Sequence, residues 1–437
     1  MRRLLLLGAL LTVLAFPGPT SSRLFAAETL TWEQCVQEAA RNYPDLRSAT
    51  EAVRQAEAQR AVDYGGLLPS LSVSTGGNRS GNFSGSAGAQ SSFSGTSVSR
   101  DGSWTMVASA SQLLYDGGKT RNTVESRKET VNAMWHASDV ISASTRYALR
   151  NAFAQLLTAQ QQLRLTAEIV DIRQHSLRLI GLLYKSGSEN SGSLSKARAD
   201  LTAAEYEVSQ AKRGLEMAQA VLCTQLGRRA LSPVAVTGSF VASESAKAAP
   251  DFDRLVREHP SYLQASSQKE ASRYSLMAAR SAFVPKVSLS SSVGNNSSAN
   301  LPPNRVDWQV GVNVAVPIYQ GGTGRATVSL ARAAYNKSAA DEESSYFLVM
   351  RTLEQAWKGF RDAAGNVEVQ KQYLDAATER ARIAEAQYSA GLVSFNDWTI
   401  IEDNLVTAKK SYLSARSTLL TTEAAWVQAK GGTIETR

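Results

Sequence analysis

The sequence contains one ordered set of motifs twice. Arg41-Asn-Tyr-Pro44 returns as Arg257-Glu-His-Pro260, 216 positions later. Tyr184-Lys-Ser-Gly187 returns as Tyr388-Ser-Ala-Gly391, 204 positions later. Solenoid repeats recur roughly every 20–50 residues, so a single duplication at this much longer spacing predicts a different architecture. Each copy is expected to form a large half of the fold that needs its twin to bury a core.

The chain begins with the features of an export signal. Arg2 and Arg3 precede a short apolar run and then small residues, so residues 1–27 are predicted to be a cleaved signal peptide. The apolar run is too short for a membrane anchor. The formal net charge of +8 over 437 residues is a mild imbalance. Because no basic block is interleaved with aromatic residues, nucleic-acid binding is not expected.

Each copy is predicted to run helix, strand, loop, strand, very long helix, tip and return helix. The first copy spans 28–227, a linker spans 228–250, the second copy spans 251–430, and residues 431–437 form a tail. The predicted elements are strands at about 69–77 and 102–115, a long helix at 119–186 and a return helix at 194–226, then strands at about 285–294 and 307–319, a long helix at 323–390 and a return helix at 395–429.

The predicted strands alternate apolar residues with small polar ones. Every second residue from Trp308 to Val316 is apolar, and the positions between are Gln, Gly, Asn and Ala. In an exported protein this alternation fits a membrane barrel, although a soluble antiparallel sheet with one wet face has the same pattern. Four strands are too few to close a barrel, and lipid does not tolerate an open sheet edge. A barrel would therefore require several copies of the chain.

Two Ser/Gly/Asn-rich segments, 76–102 and 294–305, are predicted to be solvated hairpin loops between the paired strands. The second copy is 12 residues shorter than the first between Pro285 and Trp308, which is where such a loop tolerates deletion. Loop 76–102 is expected to face the cell exterior.

The two long helices contain no proline and carry a seven-residue repeat. In the first copy the repeat consists of Leu149, Leu156, Leu163, Val170, Leu177 and Tyr184, and a mostly apolar set recurs 204 positions later. A sustained seven-residue repeat predicts a supercoiled helix packed along its length. At 1.5 Å per residue each long helix would span about 100 Å. The shorter return helix covers only part of that length, so the helix before the strands is expected to cover the rest.

The two cysteines, Cys35 and Cys223, are too few for a disulfide-built scaffold. Cys35 lies in the first helix and Cys223 lies near the end of the first return helix, so we expect them to approach one another at mid-height. An exported protein permits a disulfide there, and two unpaired buried thiols are the alternative.

Catalytic motifs are missing from the sequence. The three histidines, His136, His175 and His259, are not paired at metal-ligand spacing, and there is no nucleophile elbow or phosphate-binding loop. We therefore expect no enzyme, no cofactor and no metal site. A periplasmic coiled-coil adaptor or adhesin without a transport role is the alternative to a membrane duct.

Taken in order, these motifs resemble those of the TolC-type outer-membrane factor (outer membrane efflux protein) family over nearly the whole chain. The resemblance rests on the duplicated helix start at Leu30–Cys35, the proline-led strands, the aromatic-x-Gly-Gly strand exits at Tyr115 and Tyr319, and the two Tyr-x-x-Gly tips. It implies a homotrimer with a twelve-stranded β-barrel and a long α-helical barrel.

The same resemblance implies a location and partners. The β-barrel would lie in the outer membrane of a Gram-negative-type bacterium, and the helical barrel would extend into the periplasm. The protein would be a passive exit duct of a tripartite efflux or type I secretion system, coupled to a periplasmic adaptor and an inner-membrane pump. The sequence does not specify the cargo.

The resemblance also implies site residues at the hairpin tips. Asp397 and Tyr388 correspond to a periplasmic gate in which three copies of the aspartate form a cation-attracting ring. Ile400 and Val393 replace an acidic and a basic residue of that gate, and Ser193 replaces the aspartate in the first copy. Asp397 could also cap the return helix, since a carboxylate complements a helix N-terminus. The residues implied at the adaptor contact are Gly187, Ser188, Gly391 and Leu392.

Overall fold

A computed structural model of the chain describes residues 28–83, 98–242, 249–298 and 306–434. The predicted signal peptide, parts of both predicted loops, and parts of the linker and tail lie outside the described residues. The helices are α1 (Trp32–Asn42), α2 (Pro44–Gly65), α3 (Lys119–Lys185), α4 (Ser191–Gln225), α5 (Phe252–Glu258), α6 (Pro260–Arg280), α7 (Thr323–Ser389) and α8 (Phe395–Ala429). The strands are β1 (Glu28–Leu30), β2 (Ser70–Phe83), β3 (Val98–Tyr115), β4 (Val234–Val236), β5 (Lys286–Ser298) and β6 (Asp307–Ala315).

The long helices and the return helices reproduce the duplication residue for residue. α3 and α7 each contain 67 residues, α4 and α8 each contain 35, and both ends of α7 and α8 lie 204 positions after their counterparts. Tyr43 separates α1 from α2 and His259 separates α5 from α6, each with an extended backbone. A proline follows each of them, and proline disfavours the helical conformation in the residue before it.

Two shorter helices cover each long helix, as the helix lengths predict. α3 packs against α4 over one part of its length and against α2 and α6 over the rest, while α7 packs against α8 and α6. Near the start of α3, Ser126 Oγ donates a hydrogen bond to the carbonyl of Ala271 on α6 at 2.8 Å. Within the described ranges, no helix combines the length and hydropathy of a membrane span.

The main core lies at mid-height, where the end of α4, the middle of α3, and the short parallel pair β1–β4 meet. Leu149 and Leu156 of the seven-residue repeat are fully buried there, and their counterparts Leu353 and Phe360 are fully buried in a second cluster. Nearer the tips, most repeat positions are only half-buried. The hairpins are thus tightly packed at mid-height and more loosely packed below it.

Both cysteines lie in the main core, and both are free thiols. Cys223 Sγ donates a hydrogen bond to the carbonyl of Ser232 at 3.5 Å. Burial, with the nearby carboxylate of Glu38, raises the pKa of the Cys35 thiol to about 12. The structure therefore has two unpaired buried thiols in place of a disulfide, because lying in the same core does not by itself supply the bond geometry that a disulfide requires.

The remaining strands form a four-stranded antiparallel sheet in the order β2-β3-β5-β6. The register places apolar residues of all four strands in one row across one face: Val73, Ala108, Val293 and Trp308. It places small polar residues in the adjacent row across the other face: Ser72, Ser109, Ser292 and Gln309. Alternation within single strands thus becomes two chemically different faces of a whole sheet.

The strand ends differ from the sequence prediction. β2 continues to Phe83 and β3 begins at Val98, so much of the predicted 76–102 loop is strand. β5 likewise runs to Ser298. These segments pair through the backbone, which needs no side-chain alternation, so the pattern could not reveal them. β6 ends at Ala315, four residues before the predicted end, and Pro317 follows, which lacks the N–H that a ladder needs.

Candidate functional site at the hairpin tips

Each hairpin tip is built from a glycine-ended helix and a capped return helix. Gly187 and Gly391 have φ of 80° and 73°, in the left-handed region that favours glycine. Gly187 N donates to the carbonyl of Tyr184 and Ser188 N to that of Leu183, and Gly391 and Leu392 make the equivalent bonds in the second tip. This pair of bonds is the Schellman motif, which satisfies the last carbonyls of a helix. The two tips are therefore fixed turns of the same type.

Tyr388 is the centre of a buried aromatic contact at the second tip. Its ring stacks on Trp398 with centroids 4.4 Å apart and an interplanar angle of 8°. Its hydroxyl donates a hydrogen bond to Glu189 Oε1, in the first tip, at 2.9 Å. Burial, and then this hydrogen bond to a carboxylate, raise the pKa of Tyr388, so the hydroxyl remains a donor at neutral pH. This hydrogen bond joins Tyr388 of the second copy to Glu189 of the first copy.

Asp397 is exposed and lies in the first turn of α8. Ser394 is the N-cap residue: its Oγ accepts a hydrogen bond from Asp397 N at 3.2 Å and donates one to Asp397 Oδ2 at 2.7 Å. At the first tip, Asn190 caps α4 by accepting from Ser193 N at 2.9 Å. Asp397 therefore takes part in the cap in this single chain, while its carboxylate stays open to solvent beside the tip.

A buried ionic cluster lies just above the tips, between α3 and α8. Arg173 Nη1 is 3.2 Å from Glu402 Oε2, and Arg173 also contacts Asp403. Ser176 Oγ donates to both oxygens of Glu402, at 2.9 and 3.0 Å. Burial raises the pKa of Glu402, and Ser176 and Arg173 act in the opposite direction. The cluster joins a helix of the first copy to a helix of the second.

Further polar contacts join the same two copies along the hairpins. His175 Nδ1 on α3 lies 3.6 Å from Glu385 Oε1 on α7. Lys410 Nζ on α8 lies 2.7 Å from Glu207 Oε2 on α4. Lys409 on α8 pairs with Glu168 on α3. The second hairpin is therefore attached to the first by charged groups over several helical turns.

Tyr388, Asp397 and the tip glycines were predicted from the sequence, whereas Glu189, Trp398, Arg173 and Glu402 were not. A signal for Arg173 existed, because it lies three residues after Val170 and four before Leu177, on the face of the seven-residue repeat. A charged residue on that face needs a buried partner. In the part of the chain that the structure describes, no three His, Cys, Asp or Glu side chains come together as a metal site.

Comparison with protein families gives a match in both copies. A family model described as outer membrane efflux protein matches residues 35–228 and 253–432. The cation efflux system protein CusC of Escherichia coli (strain K12) is 23% identical over 389 residues, covering 88% of this chain and 81% of that protein. The pyoverdine export outer membrane protein OpmQ of Pseudomonas aeruginosa is 23% identical over 417 residues, covering 92% and 85%.

Solved structures have the same fold. A crystal structure of CusC matches with a TM-score of 0.81 at 22% identity, covering 91% of each chain. The open state of the MtrE outer membrane channel of Neisseria gonorrhoeae matches with a TM-score of 0.79 at 19% identity, covering 92% of this chain and 89% of that one. The long helices, the sheet and the tips are therefore parts of one shared architecture.

Proposed function

This chain belongs to the outer membrane efflux protein family, and we propose that it is the outer-membrane exit duct of a tripartite efflux system. It lies in the outer membrane, extends into the periplasm, and receives cargo from an inner-membrane transporter through a periplasmic adaptor. It acts passively and is not an enzyme. The relatives CusC and OpmQ carry names for different cargoes, cations and pyoverdine. That difference supports a duct that leaves the choice of cargo to the pump.

The observation that carries this proposal is the two-faced sheet. Its apolar face is open to the surroundings in the single chain: Leu71 and Trp308 are each 78% exposed. Its other face is lined by serine, glycine and asparagine. An apolar outer face and a polar inner face are the pattern of a transmembrane barrel strand. The first face fits lipid and the second fits a water-filled channel.

The two edge strands of the sheet favour closure of a barrel by other protomers. β2 and β6 each pair on one side only among the described strands. An unpaired strand edge is not tolerated in hydrocarbon. β6 of one protomer would therefore pair with β2 of the next protomer. Three copies of the four-stranded sheet would then close a twelve-stranded barrel. The 67-residue helices, about 100 Å long, would continue this ring into the periplasm as a helical barrel.

Matched substitutions on adjacent residues of β6 test this assignment. Val312 lies on the apolar face and Asn313 on the polar face. Val312→Arg should abolish insertion into the outer membrane, because a lipid-facing arginine costs about 2–4 kcal/mol near the midplane. Asn313→Arg should insert and lower cation conductance in planar bilayers. The opposite pattern, or recovery of the wild-type protein from the soluble periplasm without conductance, would contradict a membrane duct.

The exposed tips are the proposed contact with the adaptor, through Gly187, Ser188, Gly391 and Leu392. Tyr388 and Asp397 are the proposed gate residues. Three copies of Asp397 around an axis would give a ring of negative charge that attracts cations. Its exposed position in the first turn of α8 is compatible with that ring.

Cation block tests the role of Asp397. Asp397→Asn should weaken block of single-channel conductance by multivalent cations while keeping the helix cap, since the N-cap residue Ser394 is unchanged and the asparagine side-chain oxygen can still accept its hydrogen bond. Asp171→Asn, which neutralises an exposed carboxylate on the first-copy helix α3, is the matched control. Equal block in all three proteins would leave Asp397 as a helix cap alone.

A further inference from the structure

The long helices and return helices are duplicated exactly, so the boundary between the two hairpins of one chain can be compared with the boundary between neighbouring chains of the proposed ring. Within one chain, α3 of the first copy packs against α8 of the second. In a closed ring of identical chains, the equivalent boundary brings α7 of one chain against α4 of the next. Since α7 and α8 follow α3 and α4 by 204 positions, each contact of the intrachain boundary has a counterpart at the interchain boundary.

The contacts of the intrachain boundary near the tips have no attractive counterpart. Arg173, which pairs with Glu402, corresponds to Ala377, and Glu402 corresponds to Arg198. Ser176, which donates to Glu402, corresponds to Arg380. The interchain boundary would therefore bring Arg380 of one chain opposite Arg198 of the next, where the intrachain boundary has a hydroxyl opposite a carboxylate. Two positive charges replace an attractive contact.

The same absence of attraction holds for two other contacts. The pair of Glu168 with Lys409 corresponds to Gln372 opposite Glu205, which cannot form an ion pair. The hydrogen bond from Tyr388 to Glu189 corresponds to Tyr184 opposite Val393, which has no acceptor in its side chain.

At mid-height one contact of the intrachain boundary does have an attractive counterpart. Thr158 Oγ1 on α3 donates a hydrogen bond to Ser417 Oγ on α8 at 2.9 Å. Thr158 corresponds to Asp362 on α7, and Ser417 corresponds to Arg213 on α4. Opposite charges thus replace two hydroxyls. Both side chains are exposed in the single chain, and among the described residues neither takes part in an ion pair. Arg213 lies over the ring of Tyr206, 6.0 Å from its centroid.

We propose that α7 of each chain packs on α4 of the next copy through an ion pair between Asp362 and Arg213, and that Arg380 and Arg198 repel one another across the same boundary near the tip. The inference rests on the proposed ring. It assigns the α4 and α7 faces to a second copy of this chain. Neighbouring chains are then held together at mid-height and separate at the tip, while the two hairpins of one chain stay attached to each other.

Charge reversal tests the mid-height pair. Arg213→Asp or Asp362→Arg alone should weaken trimer association on the order of tenfold over the three interfaces, because repulsion replaces attraction. The double variant Arg213→Asp/Asp362→Arg should restore the wild-type association constant, measured by sedimentation in detergent. The matched intrachain control, Thr158→Ala/Ser417→Ala, should leave association unchanged. Single variants that associate as tightly as the wild type, or a double variant that is not restored, would overturn the pairing.

The tip is tested in the same way, with conductance as the readout. Arg198→Glu should turn repulsion into attraction, hold the tip closed and lower single-channel conductance several-fold. Adding Arg380→Glu restores like charges and should restore conductance. Unchanged conductance in Arg198→Glu, or a double variant that stays closed, would overturn the repulsive boundary.

The oligomeric state and conductance of the wild-type protein distinguish failure of the proposed duct from failure of the proposed ion pair. If the wild-type chain neither forms an oligomer nor conducts, the proposed duct fails and the inference fails with it. If the wild type forms a conducting trimer but the charge reversals behave independently, only the boundary assignment fails.

Discussion

The two helix hairpins end in the same motif but in different surroundings. Tyr184 and Tyr388 both lie three residues before the glycine that follows a 67-residue helix. Tyr184 is 44% exposed, whereas Tyr388 is 4% exposed. The difference comes from the residues around them, since Trp398 stacks on Tyr388 and the counterpart of Trp398 is Leu194. Duplication reproduces the helices, and a few partner residues decide which copy has the buried tyrosine.

The buried tyrosine of the second tip forms its hydrogen bond with the other hairpin. Tyr388 does not bond within its own hairpin but to Glu189 of the other copy. The acceptor has no equivalent in the second copy, where Val393 occupies the position. The asymmetry is therefore a property of the pair of copies, and substitutions at matched positions should separate local from shared effects.

The largest expected effect comes from Trp398, which is almost completely buried against Tyr388. Trp398→Ala should destabilise the second tip by about 3–5 kcal/mol, the usual cost of truncating a buried tryptophan. Hydrogen exchange of amides in the last turns of α7 and first turns of α8 should then accelerate more than a hundredfold. Leu194→Ala, the matched change in the half-buried first tip, should have a smaller effect. Similar acceleration in both would mean that the tips are equally packed.

Arg173→Ala should have the next largest effect, because it gives the first copy the alanine that the second copy has at Ala377. The change leaves Glu402 buried without its cation, and breaking a buried pair costs about 3–5 kcal/mol. We expect faster hydrogen exchange in the tip half of α8. Arg173→Ala/Glu402→Gln should recover most of the loss because no buried charge remains. A double variant as unstable as the single one would mean that arginine packing, rather than pairing, stabilises the boundary.

Much of the fold could be predicted from the sequence because its signals are local. Helices α7 and α8 begin and end as predicted to within one residue, since glycine ends one and a serine cap begins the other. The two-faced sheet followed from alternation. The ends of β2 and β5 could not be predicted, because glycine and serine pair through the backbone with no side-chain pattern.

The site was less predictable than the fold because its contacts join distant parts of the chain. The motif around Tyr388 is also present around Tyr184, so sequence could not show which tyrosine is buried. Glu189 and Tyr388 are 199 positions apart, and the pairing depends on how the two hairpins lie against one another. Cys35 and Cys223 show the same limit, since they share a core but not the geometry of a disulfide.

Removing the tyrosine hydroxyl should have a moderate effect. Tyr388→Phe keeps the stack on Trp398 and loses the bond to Glu189, which costs about 1 kcal/mol and should accelerate local hydrogen exchange about fivefold. Tyr184→Phe is the matched control and should have almost no effect, because Tyr184 is 44% exposed and Val393 replaces the acceptor at the corresponding position. If the two variants exchange alike, the hydrogen bond between the copies contributes nothing to tip stability.

The smallest effect concerns pH, and it depends on Glu402. The folded-state pKa of Glu402 is raised by burial, so the folded protein holds this proton more tightly than the unfolded chain. Its contribution to stability is therefore fully present below the ordinary glutamate pKa and is lost as pH rises through the raised value. The charged and polar groups around it are Arg173, Ser176, Asp403 and Glu385, and Glu402→Gln leaves them in place.

The difference in tip hydrogen-exchange protection between the wild type and Glu402→Gln should change with pH in that window. The wild type should gain relative protection as the pH falls. A difference that is constant from pH 4 to pH 7 would show that Glu402 titrates alike in the folded and unfolded chain, and that the boundary between the two copies is open to water.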